Sequence, residues 1–257
     1  MSATESTNSP ADGRGSASGA GSLRLGLQAG VTLDARRAIY FSEAQTLAVA
    51  DVHLGYAWVQ RQRGALLPVA TPDTTYSRLS ALLSDYSPRE VVVLGDLVHQ
   101  AVALPAVERA LRALGEILAK GMTLTVCQGN HDRDLGVLVN QWSLPMRIVS
   151  SLRVGRYQLH HGDGEPDVSD FRLDSADAIQ VIGHEHPALR LGDGVATAVK
   201  VPCFLVADEV IVVPAFSDWA AGCVFGRDQF LGRVARCAAF HSAFACLGPR
   251  LLRIPLK

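Results

Sequence analysis

The sequence predicts an α/β protein whose last part is rich in strands. Five short runs of β-forming residues each end in Gly, Asp, Asn or His, at 46–51, 90–96, 123–130, 156–163 and 178–184. Apolar residues recur at helical spacing between several of these runs. Strands that alternate with helices indicate a largely parallel sheet, and ligands bind in the crevice at the carboxyl ends of such strands.

The other elements are predicted from local patterns. Residues 31–41, VTLDARRAIYF, predict a small hairpin before the first long apolar run. Amphipathic helices are predicted at 76–86 and 103–119, where large apolar residues recur every three or four positions. Residues 199–216, VKVPCFLVADEVIVVPAF, predict strand pairs with no helix between them.

Composition predicts a globular chain with one large domain, residues 23–257. Apolar residues make up 48% of the 257 residues, which is enough for a core. The formal net charge of −1, without blocks of like charge, excludes a global basic surface but leaves a local basic groove open. The five cysteines are odd in number and never spaced as CxxC, so each is expected to be a small buried apolar side chain.

The first 22 residues predict a disordered tail. They are mostly Ser, Gly, Ala and Thr, and they offer almost no large apolar side chain to offset the entropy of ordering. The segment lacks the apolar stretch of a secretory signal, and no later run approaches the roughly 18 apolar residues of a membrane span. We therefore expect a soluble cytoplasmic protein.

Five motifs stand at the predicted strand ends, in the order DVH (51–53), GDLVH (95–99), GNHD (129–132), HHGD (160–163) and GHEH (183–186). Together they resemble the signature of the calcineurin-like metallophosphoesterases, with all five blocks in that family's order. The resemblance implies a layered β-sandwich flanked by helices, with a metal site at the carboxyl ends of the strands. It also implies hydrolysis of phosphoric esters.

A narrower resemblance covers roughly residues 29–224. DVHLG, RQRGALLP, TYSRLSALL, VPCF and VPAFSDWAAG are similar to the subgroup named for association with a DNA ligase. That subgroup usually has Lys where this chain has Tyr56. The similarity implies a nucleic-acid substrate, a role related to DNA repair and a functional link to a DNA ligase.

The family resemblance implies two divalent metal ions, with manganese expected and iron or zinc as alternatives, because all three accept oxygen and nitrogen ligands. Asp96 is expected to bridge the ions. His160 and His161 compete for one position, and the family's His directly before Gly selects His161. The implied ligands are Asp51, His53 and His186 for the first ion, Asn130, His161 and His184 for the second, and Asp96 for both.

Four further residues resemble the family's catalytic and substrate-binding groups. His131 is expected to be the general acid that protonates the leaving oxygen, with Asp132 orienting its imidazole. His99 stands where many phosphomonoesterases have Asp, as in the double-strand-break repair nuclease of the superfamily. It is expected to help handle a phosphodiester; the alternative is a partner that only supports the ligands. Arg133 either contacts a substrate phosphate or is an ordinary exposed Arg.

Two more sets of side chains leave alternatives open. Arg61 and Arg63 either guide a polyanion at the rim of the cleft or lie on a solvated helix face. Trp58, Trp142 and Trp219 are expected to be packing residues, with Trp219 a candidate neighbour of the site.

The sequence is compatible with three functions. The sequence favours a phosphodiesterase or nuclease acting on nucleic acid. The alternative is the same chemistry on a small nucleotide or other phosphoester. A metal-free scaffold that binds a partner is disfavoured because all seven implied ligands are present. The oligomeric state is left open.

Overall fold

The computed structural model describes residues 22–67, 73–118, 121–164, 178–192, 197–220 and 222–256. The predicted tail lies outside these ranges except for its last residue, Ser22. The carbonyl of Ser22 accepts a hydrogen bond of 2.8 Å from the amide of Leu251. Ser22, the first described residue, therefore pairs with a strand near the C-terminus.

The first sheet has seven strands that lie side by side in chain order. The first four form an antiparallel meander, and the last four run parallel to one another. The hairpin predicted at 31–41 is its second and third strands. The strands are β1 (Arg24–Gln28), β2 (Val31–Asp34), β3 (Ala38–Phe41), β4 (Thr46–Val49), β5 (Glu90–Val93), β6 (Thr123–Cys127) and β7 (Arg147–Val149).

Four helices connect these strands: α1 (Tyr56–Gln62), α2 (Asp73–Tyr86), α3 (Pro105–Ile117) and α4 (Leu135–Gln141). The two predicted amphipathic helices are α2 and α3. The apolar stripe of α3, including Leu111 and Leu114, is buried against the first sheet, as its spacing predicts. Proline suits the start of α3, since its missing amide hydrogen has no helical partner there.

The second sheet is mixed, and its path runs β14, β11, β12, β13, β10, β9, β8, with β15 and β16 added beside β12. Strands β9, β10 and β13 are parallel. Strands β12 and β13 pair with no helix between them, as predicted for residues 199–216, and the pairing is antiparallel, as it is for β15 and β16. A short helix, α5 (Arg233–Cys237), packs on its outer face. The strands are β8 (Ser151–Val154), β9 (Tyr157–His160), β10 (Ile179–Ile182), β11 (Pro187–Gly192), β12 (Ala198–Val206), β13 (Val210–Val212), β14 (Cys223–Val224), β15 (Ser242–Leu247) and β16 (Arg250–Pro255).

The two sheets enclose a shared apolar core, and each buries its other face beneath helices or loops. Strand β5 shows how the sequence does this. Val92 faces the core between the sheets, whereas Val91 and Val93 face the helices, because successive side chains of a strand point to opposite faces. A strand buried on both faces needs an unbroken apolar run, which EVVVL supplies. The predicted layered β-sandwich flanked by helices is confirmed.

The cysteines correct one expectation. All five are free, and Cys127, Cys203 and Cys246 are buried as predicted. Cys223 is only half-buried and Cys237 is exposed, because β14 and the end of α5 lie near the surface.

None of the helices in the described ranges combines the length and apolarity that a membrane span requires.

Candidate metal centre

The loops that follow five strands of the two sheets meet at one edge of the sandwich. These loops begin after Val49 of β4, Val93 of β5, Cys127 of β6, His160 of β9 and Ile182 of β10. Parallel strands bring their carboxyl ends to the same edge, which explains the meeting. The loops carry the predicted ligands Asp51, His53, Asp96, Asn130, His161, His184 and His186.

Five of the predicted ligands have a left-handed backbone. The φ angles are +52° for Asp51, +49° for His53, +52° for Asp96, +65° for His184 and +46° for His186. This region is uncommon for residues other than glycine, and such strain concentrates at functional sites. The turn after each strand end thus redirects the side chain into the centre.

Glycine precedes several ligands because there is no room for a Cβ atom. A Cβ at Gly95 would overlap the ring of His161, and one at Gly129 would overlap Oδ1 of Asp96. These two glycines allow loops from different strands to approach each other. The Gly in the GD and GN motifs is therefore a packing requirement of the site.

Asp51, His53 and His186 form one group whose potential ligand atoms lie within 4.8 Å of one another. Nε2 of His186 lies 3.3 Å from Oδ1 of Asp51, which is fully buried. Burial lowers the pKa of His53 to about 3, against the attraction of Asp51. His53 is therefore neutral at physiological pH and keeps a lone pair for a cation.

His161 is the central side chain of the second group. Its Nδ1 lies 2.9 Å from the carbonyl oxygen of Leu94, which can only accept, so Nδ1 carries the hydrogen. In the neutral ring Nε2 keeps a lone pair, 3.1 Å from both Oδ1 of Asn130 and Nδ1 of His184. Burial disfavours the charged ring, but Asp51 and Asp96 outweigh burial and raise the pKa of His161. A backbone carbonyl that fixes the tautomer in this way is typical of histidine at metal sites.

Asp96 lies between the two groups. Its Oδ1 is 3.5 Å from Nε2 of His161, and its Oδ2 is 3.9 Å from Nε2 of His53. Each oxygen thus faces a different group, which is the placement expected of a bridging carboxylate.

The chemistry of the site fits divalent metal ions. Nδ1 of His53 is buried with no hydrogen-bond partner among the described residues. An unsatisfied buried nitrogen is costly, and a bound cation would satisfy it. Carboxylate, amide and imidazole donors suit manganese, iron or zinc, so the arrangement does not choose among them.

His131 faces the centre without being needed as a ligand. Its Nδ1 lies 2.6 Å from the carbonyl oxygen of His99 and therefore carries a hydrogen. Its Nε2 lies 3.9 Å from Oδ2 of Asp96. The side chain is 36% exposed, so a substrate can reach it.

Asp132 occupies a different place from the one expected. Its buried carboxylate accepts hydrogen bonds from the backbone amides of Leu97 and Val98, both 3.2 Å, and of Gly129, 3.3 Å. Burial raises its pKa to about 6, while these amides act in the opposite direction. The carbonyl of His99, rather than Asp132, holds the imidazole of His131. Asp132 instead joins the GDLVH and GNHD loops.

His99 packs directly on His131, with ring centroids 5.2 Å apart and planes inclined by 25°. The amide nitrogen of Gln60, in α1, lies 3.3 Å from Nε2 of His99. An amide NH2 only donates, so the ring hydrogen of His99 lies on Nδ1, which is buried and has no partner among the described residues. Burial lowers the pKa of His99 to about 4, helped by His131 and Arg63.

Glu185 is a structural residue of the site that the sequence reasoning missed. It lies between His184 and His186, is only 3% exposed, and accepts hydrogen bonds from the amides of Leu231, 2.8 Å, and Gly232, 2.6 Å. Burial raises its pKa. The only sequence signal was its place inside the GHEH motif.

The remaining predicted residues lie at the rim. Arg133 is exposed, and its carbonyl, rather than its guanidinium, receives a hydrogen bond from Gln128. Arg61 and Arg63 are exposed at the end of α1. His160 is directed away from the ligand set and lies 3.1 Å from Oε1 of Gln180.

The tryptophans differ from the expectation that all three are packing residues. Trp142 is partly buried against the helices of the first sheet. Trp58 is 49% exposed and Trp219 is 39% exposed. Trp219 stacks on Tyr56, the residue that stands in place of the subgroup's Lys, with centroids 5.6 Å apart and planes inclined by 16°.

A segment after β13 ties the second sheet to the first. The amide of Phe216 donates to the carbonyl of Ala50, 2.7 Å, and the amide of Ser217 donates to the carbonyl of Asp51, 3.1 Å. Asp218 then pairs with Arg37, 3.0 Å, and Arg78, 2.7 Å. The rim that carries Trp219 is therefore anchored to the first strand end of the site.

A solved structure shares the fold. The crystal structure of a nuclease, MPE from Pseudomonas putida, is similar with a TM-score of 0.63 and 24% identity, over 87% of this chain and 94% of that chain. The phosphoesterase Yfce from E. coli has a TM-score of 0.38 and 17% identity, over 82% of this chain and 99% of that chain, a likeness too weak to carry an argument. No curated protein sequence matches the chain.

The sequence profile described as Calcineurin-like phosphoesterase matches residues 44–213, which is more than half of the chain. The matched range begins just before β4 and ends just after β13, so it includes every loop that carries a predicted ligand. The chain therefore belongs to the calcineurin-like phosphoesterase family, whose members hydrolyse phosphoester bonds, typically with two metal ions.

Proposed function

We propose that this hydrolase uses two divalent metal ions to cleave phosphodiester bonds, with nucleic acid as its substrate. Asp51, His53 and His186 would hold one ion, Asn130, His161 and His184 the other, and Asp96 both. When bound, two such ions lower the pKa of a water molecule and stabilise charge on the phosphoryl oxygens.

His131 is the proposed general acid. With Nδ1 held by the carbonyl of His99, a protonated His131 presents Nε2–H toward Asp96 and the centre. The departing alkoxide of a nucleotide is strongly basic and needs this proton as its bond to phosphorus breaks. Asp132 supports the step indirectly by keeping the GDLVH and GNHD loops together.

One observation carries the preference for a phosphodiester: the packing of His99 on His131 beside the centre. Nδ1 of His99 is buried without a partner among the described residues, and burial keeps the ring neutral by lowering its pKa to about 4. An Asp at this position would instead repel the phosphate. A neutral ring therefore lets an anionic phosphate approach. The choice of a diester follows from the resemblance of GDLVH to the repair nuclease of the superfamily, since many phosphomonoesterases have Asp in place of His99.

The nucleic-acid assignment rests on the resemblance to the ligase-associated subgroup and on the rim. Arg61 and Arg63 supply positive charge beside His99, where a polyanion would pass. The structurally similar Pseudomonas putida protein is named a nuclease, although that likeness shows the fold alone. We extend the proposal to cytoplasmic DNA repair in functional association with a DNA ligase, with Arg133 as a candidate phosphate contact and manganese as the metal.

A small phosphoester is the second candidate. A cavity of about 260 Å³ adjoins His186 and is lined by Arg37, Lys200 and Asp218, among others. Its size suits one small anionic group better than a polymer. Arg37 in its wall is paired with Asp218, so Lys200 supplies the positive charge that favours a phosphate-bearing ligand.

The experiment is a substrate panel with added manganese: bis-nitrophenyl phosphate, nitrophenyl phosphate, mononucleotides, and single- and double-stranded DNA. We expect cleavage of the diester and of DNA, with little release of phosphate from the monoesters. Preferential hydrolysis of mononucleotides, with DNA left intact, would replace the nuclease proposal by the small-substrate alternative. Excess chelator must abolish every activity.

A further inference from the structure

Four aromatic rings form a continuous row from the metal centre to the surface. His131 stacks on His99 at 5.2 Å, His99 contacts Tyr56 at 4.6 Å, and Tyr56 stacks on Trp219 at 5.6 Å between centroids. The first ring lies beside Asp96. The last ring, Trp219, is 39% exposed. The row therefore ends on an indole that water can reach.

Trp219 is held in place although it is exposed. Its amide lies 3.1 Å from the hydroxyl oxygen of Ser217, and the amide of Ser217 donates to the carbonyl of Asp51. Its ring is nearly parallel to that of Tyr56. A large aromatic ring fixed beside a catalytic centre loses little conformational entropy when a planar ligand stacks on it.

We propose that the Tyr56–Trp219 pair is a nucleobase subsite, in which a base next to the scissile phosphate stacks on the indole and extends the row of rings. This inference rests on the proposed function and deepens it. Stacking on an aromatic side chain tolerates any base, since every base has a π-face. Arg61 and Arg63, on the same helix as Tyr56, would neutralise the flanking phosphates.

Trp58 provides the internal contrast. It lies on α1 two residues from Tyr56, which places it on the other side of the helix. It is 49% exposed, and it has no ring contact within the described ranges. Exposure alone therefore does not define the subsite; the stack on Tyr56 and the row that leads to the centre do.

The test compares the wild type, Trp219→Ala, Trp219→Phe and the control Trp58→Ala, all with metal content measured. The substrate is a single-stranded oligonucleotide with one cleavage position. Further versions of it each carry a single abasic nucleotide, placed at a different position beside the cleavage site. We expect Trp219→Ala to raise KM for the intact oligonucleotide about 5- to 150-fold, the range that one stacked base supplies, with a small change in kcat.

Three further results complete the pattern. Trp219→Phe should restore most of the loss, and Trp58→Ala should behave as wild type. One abasic position should raise the wild-type KM by a similar factor and leave Trp219→Ala unaffected, since the base and the ring act as one unit. Equal losses of Trp219→Ala on intact and abasic oligonucleotides, at full metal content, would overturn the subsite.

The nucleic-acid proposal can fail separately. If the wild type cleaves no oligonucleotide, the same variants are compared on thymidine 5′-nitrophenyl phosphate and methyl nitrophenyl phosphate. A Trp219→Ala loss confined to the thymidine ester would keep the base subsite and reject the polymer. No difference between the two esters would reject both.

Discussion

The metal centre has two halves: loops of the first sheet carry Asp51, His53, Asp96 and Asn130, and loops of the second sheet carry His161, His184 and His186. A buried carboxylate stabilises each half, but in a different way. In the half from the first sheet, the carboxylate of Asp132 accepts hydrogen bonds from the backbone amides of Leu97, Val98 and Gly129. All three amides lie in loops that carry predicted ligands. In the half from the second sheet, Glu185 accepts amides of residues 231–232, a remote segment just before α5. Asp132 thus joins loops of the first half to each other, whereas Glu185 ties the second half to the C-terminal region.

This difference ranks the residues by how many ligand loops they hold. Asp96 contacts both halves. His131 is attached to the first half only, through the carbonyl of His99 and Oδ1 of Asp96. Asp218 joins the halves at the rim and contacts no predicted ligand. Substitutions at these positions should therefore have effects that decrease in this order.

The largest effect is expected from Asp96→Asn. An amide is a weak neutral ligand, so the variant should lose at least one metal ion and nearly all activity. Elemental analysis after reconstitution should find close to two ions per wild-type chain and fewer in the variant. The exposed Asp208→Asn is the matched control. If Asp96→Asn bound two ions and kept full turnover, Asp96 would not be a bridging ligand and would not link the two halves.

His131→Ala should retain both metal ions and lose about 10²–10⁴-fold in kcat on a dinucleotide or DNA, because the alkoxide leaving group needs a proton. Nitrophenolate is a far better leaving group, so the loss on bis-nitrophenyl phosphate should be markedly smaller. Damage to the metals would slow both substrates alike, and the comparison cancels it. Equal losses with metals intact would recast His131 as a phosphate-binding residue.

Asp132→Asn and Glu185→Gln test the comparison itself. Asp132→Asn replaces one accepting oxygen by an NH2 group, which cannot accept a hydrogen bond from the backbone amides around it. The loss should lower the free energy of unfolding by about 1–3 kcal/mol. It should also weaken metal binding up to about 100-fold; Glu185→Gln should weaken it only about tenfold, since residues 231–232 carry no ligand. Chelator competition and urea unfolding measure both quantities.

The matched controls are Asp134→Asn, two residues from Asp132, and Glu209→Gln, just before β13; both side chains are exposed. Each should match the wild type in stability and metal affinity. A larger effect of Glu185→Gln than of Asp132→Asn would show that the remote anchor, rather than the joined loops of the first half, dominates the site.

The smallest effect is expected from Asp218→Asn and depends on pH. Burial favours the neutral carboxyl, but Arg78 and Arg37 outweigh it and hold the pKa of Asp218 below its usual range. Its stabilisation is thus present above about pH 4 and is lost as pH falls through the lowered pKa. The side chain is 42% exposed, so the loss at pH 7 should stay below about 1 kcal/mol.

Urea unfolding of Asp218→Asn and wild type at pH 7 and at pH 3.5 measures this difference, with Asp208→Asn as the exposed control. The gap between the two proteins should narrow at the lower pH. A gap that is constant with pH would mean that packing of the rim, rather than the ion pairs, accounts for the loss.

The sequence by itself predicted the candidate ligands, through the family resemblance of five motifs, and the strand ends where they lie. Motifs such as GDLVH and GNHD each follow a strand, and the carboxyl ends of parallel strands meet without further information. The apolar runs and helical spacings predicted parallel strands and helices α2 and α3, whereas the sandwich was implied by the family resemblance. The strands and helices depend on local periodicity, which a single sequence displays.

Only the tertiary structure decided how the ligands are held. The left-handed backbone at Asp51 and Asp96, the anchoring of Glu185 to residues 231–232, and the stack of Tyr56 on Trp219 join positions far apart in the chain or select rare backbone states. A motif identifies a side chain, but it does not show which distant residue that side chain contacts. Such contacts form only where packing forces distant loops together, and that packing is a property of the whole fold.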